Sequence, residues 1–98
     1  MITYDMTENA KDCIISKWGN INGKKVIDEC SKVAPFNGNS GQFLDHCFAC
    51  GGNWTGMLLS GIRALYPNVW EAIPDKMGIS PWESICSVLV LCGVDTSE

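Results

Sequence analysis

Ser80-Pro81-Trp82-Glu83-Ser84-Ile85-Cys86-Ser87-Val88-Leu89-Val90-Leu91-Cys92-Gly93 is the stretch whose reading decides the fold. A serine at the N-cap accepts a hydrogen bond from the first turn, a proline at N1 needs no amide partner, and a glutamate three residues after the serine completes a capping box. Together they predict a helix that starts at Pro81, and Gly93 supplies its stop. Between these signals Ile85, Cys86, Val88, Leu89, Val90 and Leu91 cover most of the helix circumference. Valine and isoleucine also suit a strand, but the capping box, the terminal glycine and the length favour a helix. A helix apolar nearly all round has no face to offer water, so other helices have to surround it. The apolar run from Ile85 to Val94 is about ten residues long, whereas a membrane span needs about 20, so the surrounding layer is protein.

Moving outward, glycine, asparagine and proline divide the rest of the chain into short helical segments. Thr7 is placed to cap a first helix to about Trp18, with Ala10, Cys13, Ile14 and Trp18 on one face and Gly19 as its stop. A polar link, Asn20-Ile21-Asn22-Gly23, leads to a second helix from about Lys24 to Val33 that gathers Val26, Ile27, Cys30, Val33 and Ala34. Pro35 to Gly41 reads as the mobile loop, with Ser40 capping a third helix over 41–50 that turns Phe43, Leu44 and Cys47 inward. Asn53 caps a fourth over 54–66, its stripe formed by Trp54, Met57, Leu58, Ile62 and Leu65. Pro67 ends that helix, and a short turn through Val69, Trp70 and Ala72 follows. The expectation is one all-α domain over residues 1–98, five or six short helices packed around the C-terminal one, with a frayed tail from Val94 to Glu98.

Composition sets the function classes. With 98 residues, 46% of them apolar and only 18% charged, the chain suits a single small core and not a disordered segment. Its net charge of −4 is the wrong sign for holding a phosphate backbone, so no direct nucleic-acid partner is expected. The opening residues carry Asp5, Glu8 and Asp12 where an export signal needs apolar ones, which points to the cytoplasm. In that compartment the cysteines at 13, 30, 47, 50, 86 and 92 read as reduced thiols that fill the apolar stripes.

His46-Cys47-Phe48-Ala49-Cys50-Gly51-Gly52 is the one run that resembles a chemical motif. A structural zinc site built on Cys47 and Cys50 needs a second close pair of ligands, which the chain lacks. A reactive thiol belongs near a helix N-terminus, and this pair falls at a helix C-terminus. As a base, His46 points about 100° away from Cys47 around the helix and meets only Cys50 on its own face. His46, Cys47 and Cys50 therefore define a thiol or metal alternative, while the leading expectation has no catalytic residues and no cofactor. That expectation is a protein-binding module whose contact residues are Tyr66, Trp70, Glu71 and Asp75, aromatic and acidic groups around a proline-bounded turn, together with the loop Asn37 to Ser40.

Cys47-x-x-Cys50-Gly51-Gly52-Asn53-Trp54, Leu65-Tyr66-Pro67, Trp70-Glu71-Ala72-Ile73-Pro74-Asp75 and Cys92-Gly93-Val94-Asp95-Thr96 resemble segments of small proteins carried by phages and mobile elements of Gram-positive anaerobic bacteria. The likeness covers residues from roughly 13 to 98. It implies a setting in which small acidic, non-enzymatic proteins bind and block host or defence proteins, CRISPR nucleases among them, and it assigns no role to any residue.

Overall fold

Thr3 opens the first helix. Its Oγ1 accepts the Met6 N–H at 3.2 Å, and Asp5 places a carboxylate against the positive end of the helix dipole. Thr7, the expected cap, lies inside the helix instead, its hydroxyl donating to the Tyr4 carbonyl at 2.7 Å. In the computed structural model, which describes residues 2–47, 54–74 and 81–96, this helix is α1 (Tyr4–Ser31). It is followed by α2 (Ser40–Cys47), α3 (Trp54–Leu65), α4 (Pro67–Ala72) and α5 (Pro81–Leu91). The described residues are all-α with no strand, as the helix signals imply. The expected caps Asn53 and Ser80 and the Gly51-Gly52 turn lie outside the described residues.

α1 is two arms, 4–18 and 20–31, joined at Gly19, whose φ of 87° and ψ of 170° are open to glycine alone. A single residue thus does the work expected of a four-residue link. Asn20 to Gly23 is already helical, and the arms fold back until a Cβ on Gly23 would stand 2.9 Å from the Ile15 Cα. The second arm therefore begins a full turn before Lys24.

α5 lies among the others as its composition requires. Ser84, Ile85, Ser87, Val88, Leu89 and Val90 are buried, and α1 packs along α5 more extensively than any other pair of helices in contact. From α1 come Ile14, Val26 and Cys30, from α2 Phe43, Leu44 and Cys47, from α3 Leu58 and Ile62, and from α4 Val69. The small side of α3 receives α2: a Cβ on Gly61 would run into the Phe43 ring and the Cys47 sulfur. Leu65 departs from the expected inward stripe and is 39% exposed.

The tail expected to fray from Val94 is held at its start by a Schellman turn, while Ser97 and Glu98 lie outside the described residues. Gly93 (φ 89°) donates to the Val90 carbonyl at 3.0 Å, Val94 donates to the Leu89 carbonyl at 2.9 Å, and the Val94 and Leu89 side chains are both fully buried. The loop expected to be mobile is tied to this turn, because the Phe36 N–H donates to the Cys92 carbonyl and the Asp95 N–H to the Gly38 carbonyl. At the far end of the loop, Asn39 rather than Ser40 caps α2. Its Oδ1 accepts the Gln42 N–H at 2.9 Å while Gln42 Oε1 accepts the Asn39 N–H at 3.0 Å.

The two positive-φ glycines separate strain from crowding. A Cβ at Gly19 meets nothing, whereas one at Gly93 falls 2.9 Å from both the Phe36 nitrogen and the Pro35 Cα. Gly19→Ala should cost about 1–2 kcal/mol from backbone strain alone, and Gly93→Ala about 3 kcal/mol or more, read from urea unfolding midpoints. Equal costs would show that the loop does not rest on the turn.

Candidate functional site

The proline-bounded turn forms because Pro67 cannot continue α3 but fits the first position of a new helix, with Tyr66 as its N-cap. Tyr66 keeps its N–H on Ile62 at 2.8 Å, as α3 would, and gives its carbonyl to Trp70 at 3.0 Å, as α4 requires. This double duty fixes the side chain inward, and Tyr66 is only 7% exposed. The expected contact role of Tyr66 is corrected accordingly: its ring stacks on Phe43 at 6.1 Å and belongs to the core. Burial, and after it the neighbouring Cys92 and Cys30 thiols, push the phenol up to about 12.

Trp70 and Glu71 reach the surface. Trp70 is half-buried, with the Arg63 guanidinium 6.0 Å from its ring centroid in a cation–π contact. Glu71 is exposed, and with Asn68 and Ala72 it forms one helical face of α4, the i, i+3, i+4 positions. That face is one wall of a cleft of about 580 Å³ whose other wall is the second arm of α1, with Lys25, Asp28, Glu29 and Lys32. Lys32 sits between Asp28 at 3.2 Å and Glu29 at 3.1 Å, and these two carboxylates hold its ammonium above the ordinary lysine range. Asp75, the fourth expected contact residue, lies outside the described residues. The charges at 25, 28, 29 and 32 share one helix face in sequence, a pattern that reads as solvated surface until α4 is placed opposite.

A second concavity, of about 260 Å³, lies where the loop meets α2 and α3, lined by Ala34, Pro35, Phe36, Asn37, His46, Leu65 and Tyr66. Its aromatic groups are locked edge to face, with Phe36 5.7 Å from Phe43 and 5.8 Å from His46. Asn37 is exposed on its rim, and Gly38 and Asn39 are half-buried beside it.

His46 and Cys47 diverge as the helix geometry predicts. The imidazole is exposed and turned to Phe36, while the Cys47 thiol is buried and donates to the Phe43 carbonyl at 3.2 Å. Cys50 lies outside the described residues. Among the described residues no three or more His, Cys, Asp or Glu groups are placed to hold a metal ion, and no helix is long and apolar enough to cross a membrane. No protein-family model, curated protein or solved structure matches this chain.

Burial of Tyr66 has a measurable consequence. Its phenol is raised when folded, so the stability it contributes is full below about pH 10, the ordinary tyrosine value, and is lost as pH rises toward 12. Absorbance at 295 nm should show one tyrosine ionising only near pH 12, and Tyr66→Phe should abolish that late step and make the alkaline fall in Tm shallower.

Proposed function

We propose that this chain is a small, non-catalytic protein-binding domain whose contact surface is the cleft between the second arm of α1 and α4, with Trp70 on the adjoining face of α4. The observation that carries the reading is the mixed-charge lining of that cleft, Lys25 and Lys32 set among Asp28, Glu29 and Glu71. Two cations among three carboxylates make no positive field for a phosphate chain, whereas an alternating pattern suits the polar surface of another protein. A half-buried tryptophan one residue from Glu71 supplies apolar contact area at little entropic cost, as interface anchors do. His46 and Cys47, directed to different neighbours, form no nucleophile–base pair with each other.

The finer reading is inhibition of a host or defence protein, in the manner of anti-CRISPR proteins. It is supported by the resemblance to phage and mobile-element proteins and by the net charge of −4. Immobilised protein should retain a stoichiometric partner from the lysate of a Gram-positive anaerobe. Trp70→Ala combined with Glu71→Lys should weaken that capture at least tenfold, and Glu71→Lys alone, at an exposed position, should weaken it while leaving the Tm within a few degrees. Undiminished capture by the double variant, or capture of nothing by the unaltered chain, counts against the proposal.

A further inference from the structure

Tyr66 carries a polar group into the core and leaves it without a partner. The residue is only 7% exposed and its ring stacks on Phe43, yet among the described residues its hydroxyl makes no hydrogen bond. A buried hydroxyl left unpaired is costly, so its placement calls for a reason. Trp18 Nε1 is also unpartnered and is closed to solvent; the Tyr66 oxygen is not closed off in that way, and Tyr66 lines the concavity of about 260 Å³ where the loop meets α2 and α3.

That concavity is held open by its own backbone. The Cys92 carbonyl holds the Phe36 N–H at 3.1 Å, the Gly38 carbonyl holds the Asp95 N–H at 3.2 Å, and the reciprocal bonds of Asn39 and Gln42 fasten the loop to α2. Gly38 has no room for a side chain, since a Cβ there would stand 2.8 Å from the Phe36 ring. Walls fixed in this way need no ordering when a small molecule enters.

We propose that this concavity binds an uncharged molecule of one aromatic ring with a single oxygen acceptor, of the aryl ketone class, its ring against Pro35, Phe36 and Leu65 and its oxygen accepting the Tyr66 O–H. Size, charge and donor each select that class. An apolar cavity of about 150 Å³ holds benzene, so about 260 Å³ admits one ring with a short substituent. The lining has neither lysine nor arginine to neutralise a carboxylate, and the chain's net charge of −4 disfavours an anion further. The phenol, pushed up to about 12 chiefly by burial, keeps its proton at neutral pH and donates. His46, exposed and edge to face with Phe36 at 5.8 Å, gives the mouth a polar rim. The site is separate from the cleft between α1 and α4 and does not rest on the protein-binding reading.

The probe is para-fluoroacetophenone, and its control is para-fluoro-α-methylstyrene, which has the same shape with a methylene in place of the carbonyl oxygen. Added to the full folded chain, the ketone should show a saturable shift of its fluorine resonance with half-saturation below about 1 mM. The control should bind about fivefold more weakly, because it cannot accept the phenol proton. Backbone amide shifts caused by the ketone should centre on residues 34–37, 46 and 65–66. Tyr66→Phe should bring the ketone down to the affinity of the control while leaving the control unchanged, and Leu65→Asp, at a position 39% exposed, should weaken both. Absence of saturable binding, equal affinity of the unaltered chain for the two probes, or amide shifts centred on the α1–α4 cleft or on the groove of Met6 and Cys13 overturns the proposal. The comparison of probes and the mapping use the unaltered chain and do not depend on any variant folding.

Discussion

The structure depends on enclosing α5. A helix with Ile85, Val88 and Leu89 buried on one side and Ser84, Ser87 and Val90 buried around the rest exposes little to water, and at about 25 cal/mol per Å² of apolar area no arrangement that leaves it uncovered competes. That requirement organises the other helices. Two arms of α1 reach it from one hairpin because Gly19 reverses the chain in a single residue, and α3 approaches as well. α2 packs onto α3 where Gly61 leaves space for Phe43 and Cys47.

The end of α5 matters as much as its flanks. Four carbonyls at a helix C-terminus lack partners within the helix. Here the Leu89 and Val90 carbonyls are satisfied by the reversal at Gly93, and the Cys92 carbonyl by the Phe36 amide. The same turn buries Val94 and pairs Asp95 with the loop, so one glycine holds together two segments that would otherwise be independent. The aromatic concavity inherits its geometry from this arrangement, since Phe36 is placed from the turn side and His46 from α2.

Sulfur has different surroundings in different parts of the molecule. Cys47 packs beneath Gly61 with its thiol on its own helix, as a small apolar residue would. Cys30 and Cys92 both approach the Val88 carbonyl, which accepts the Cys92 N–H at 3.0 Å and has the Cys30 sulfur at 4.0 Å. Cys86 lies half-buried, and desolvation alone pushes its thiol up to about 11. Residue type does not separate these cases; the neighbours brought by other helices do.

The candidate surface is legible in the residues only in part, and the parts that are not share a cause. Glu71 and Trp70 are legible as surface groups because a six-residue helix after a proline buries one narrow face, occupied by Val69. Tyr66 is not legible, because its direction is set by belonging to the end of α3 and the start of α4 at once. The opposing wall of charges on α1 is visible as a pattern at 25, 28, 29 and 32, but nothing within that pattern says that α4 stands across from it.

What the residues settle by themselves is local. Capping groups, glycine stops and the period of apolar side chains determine that the chain is helical, where most helices begin and end, and that the last must be enclosed. Those signals act within one or two turns, so they are complete in a short stretch of chain. Which faces meet, whether Val94 is loose or buried, and what surrounds each thiol were decided only by tertiary packing. Each of these depends on groups far apart in sequence, such as Cys30 and Val88, which meet because α1 packs along α5.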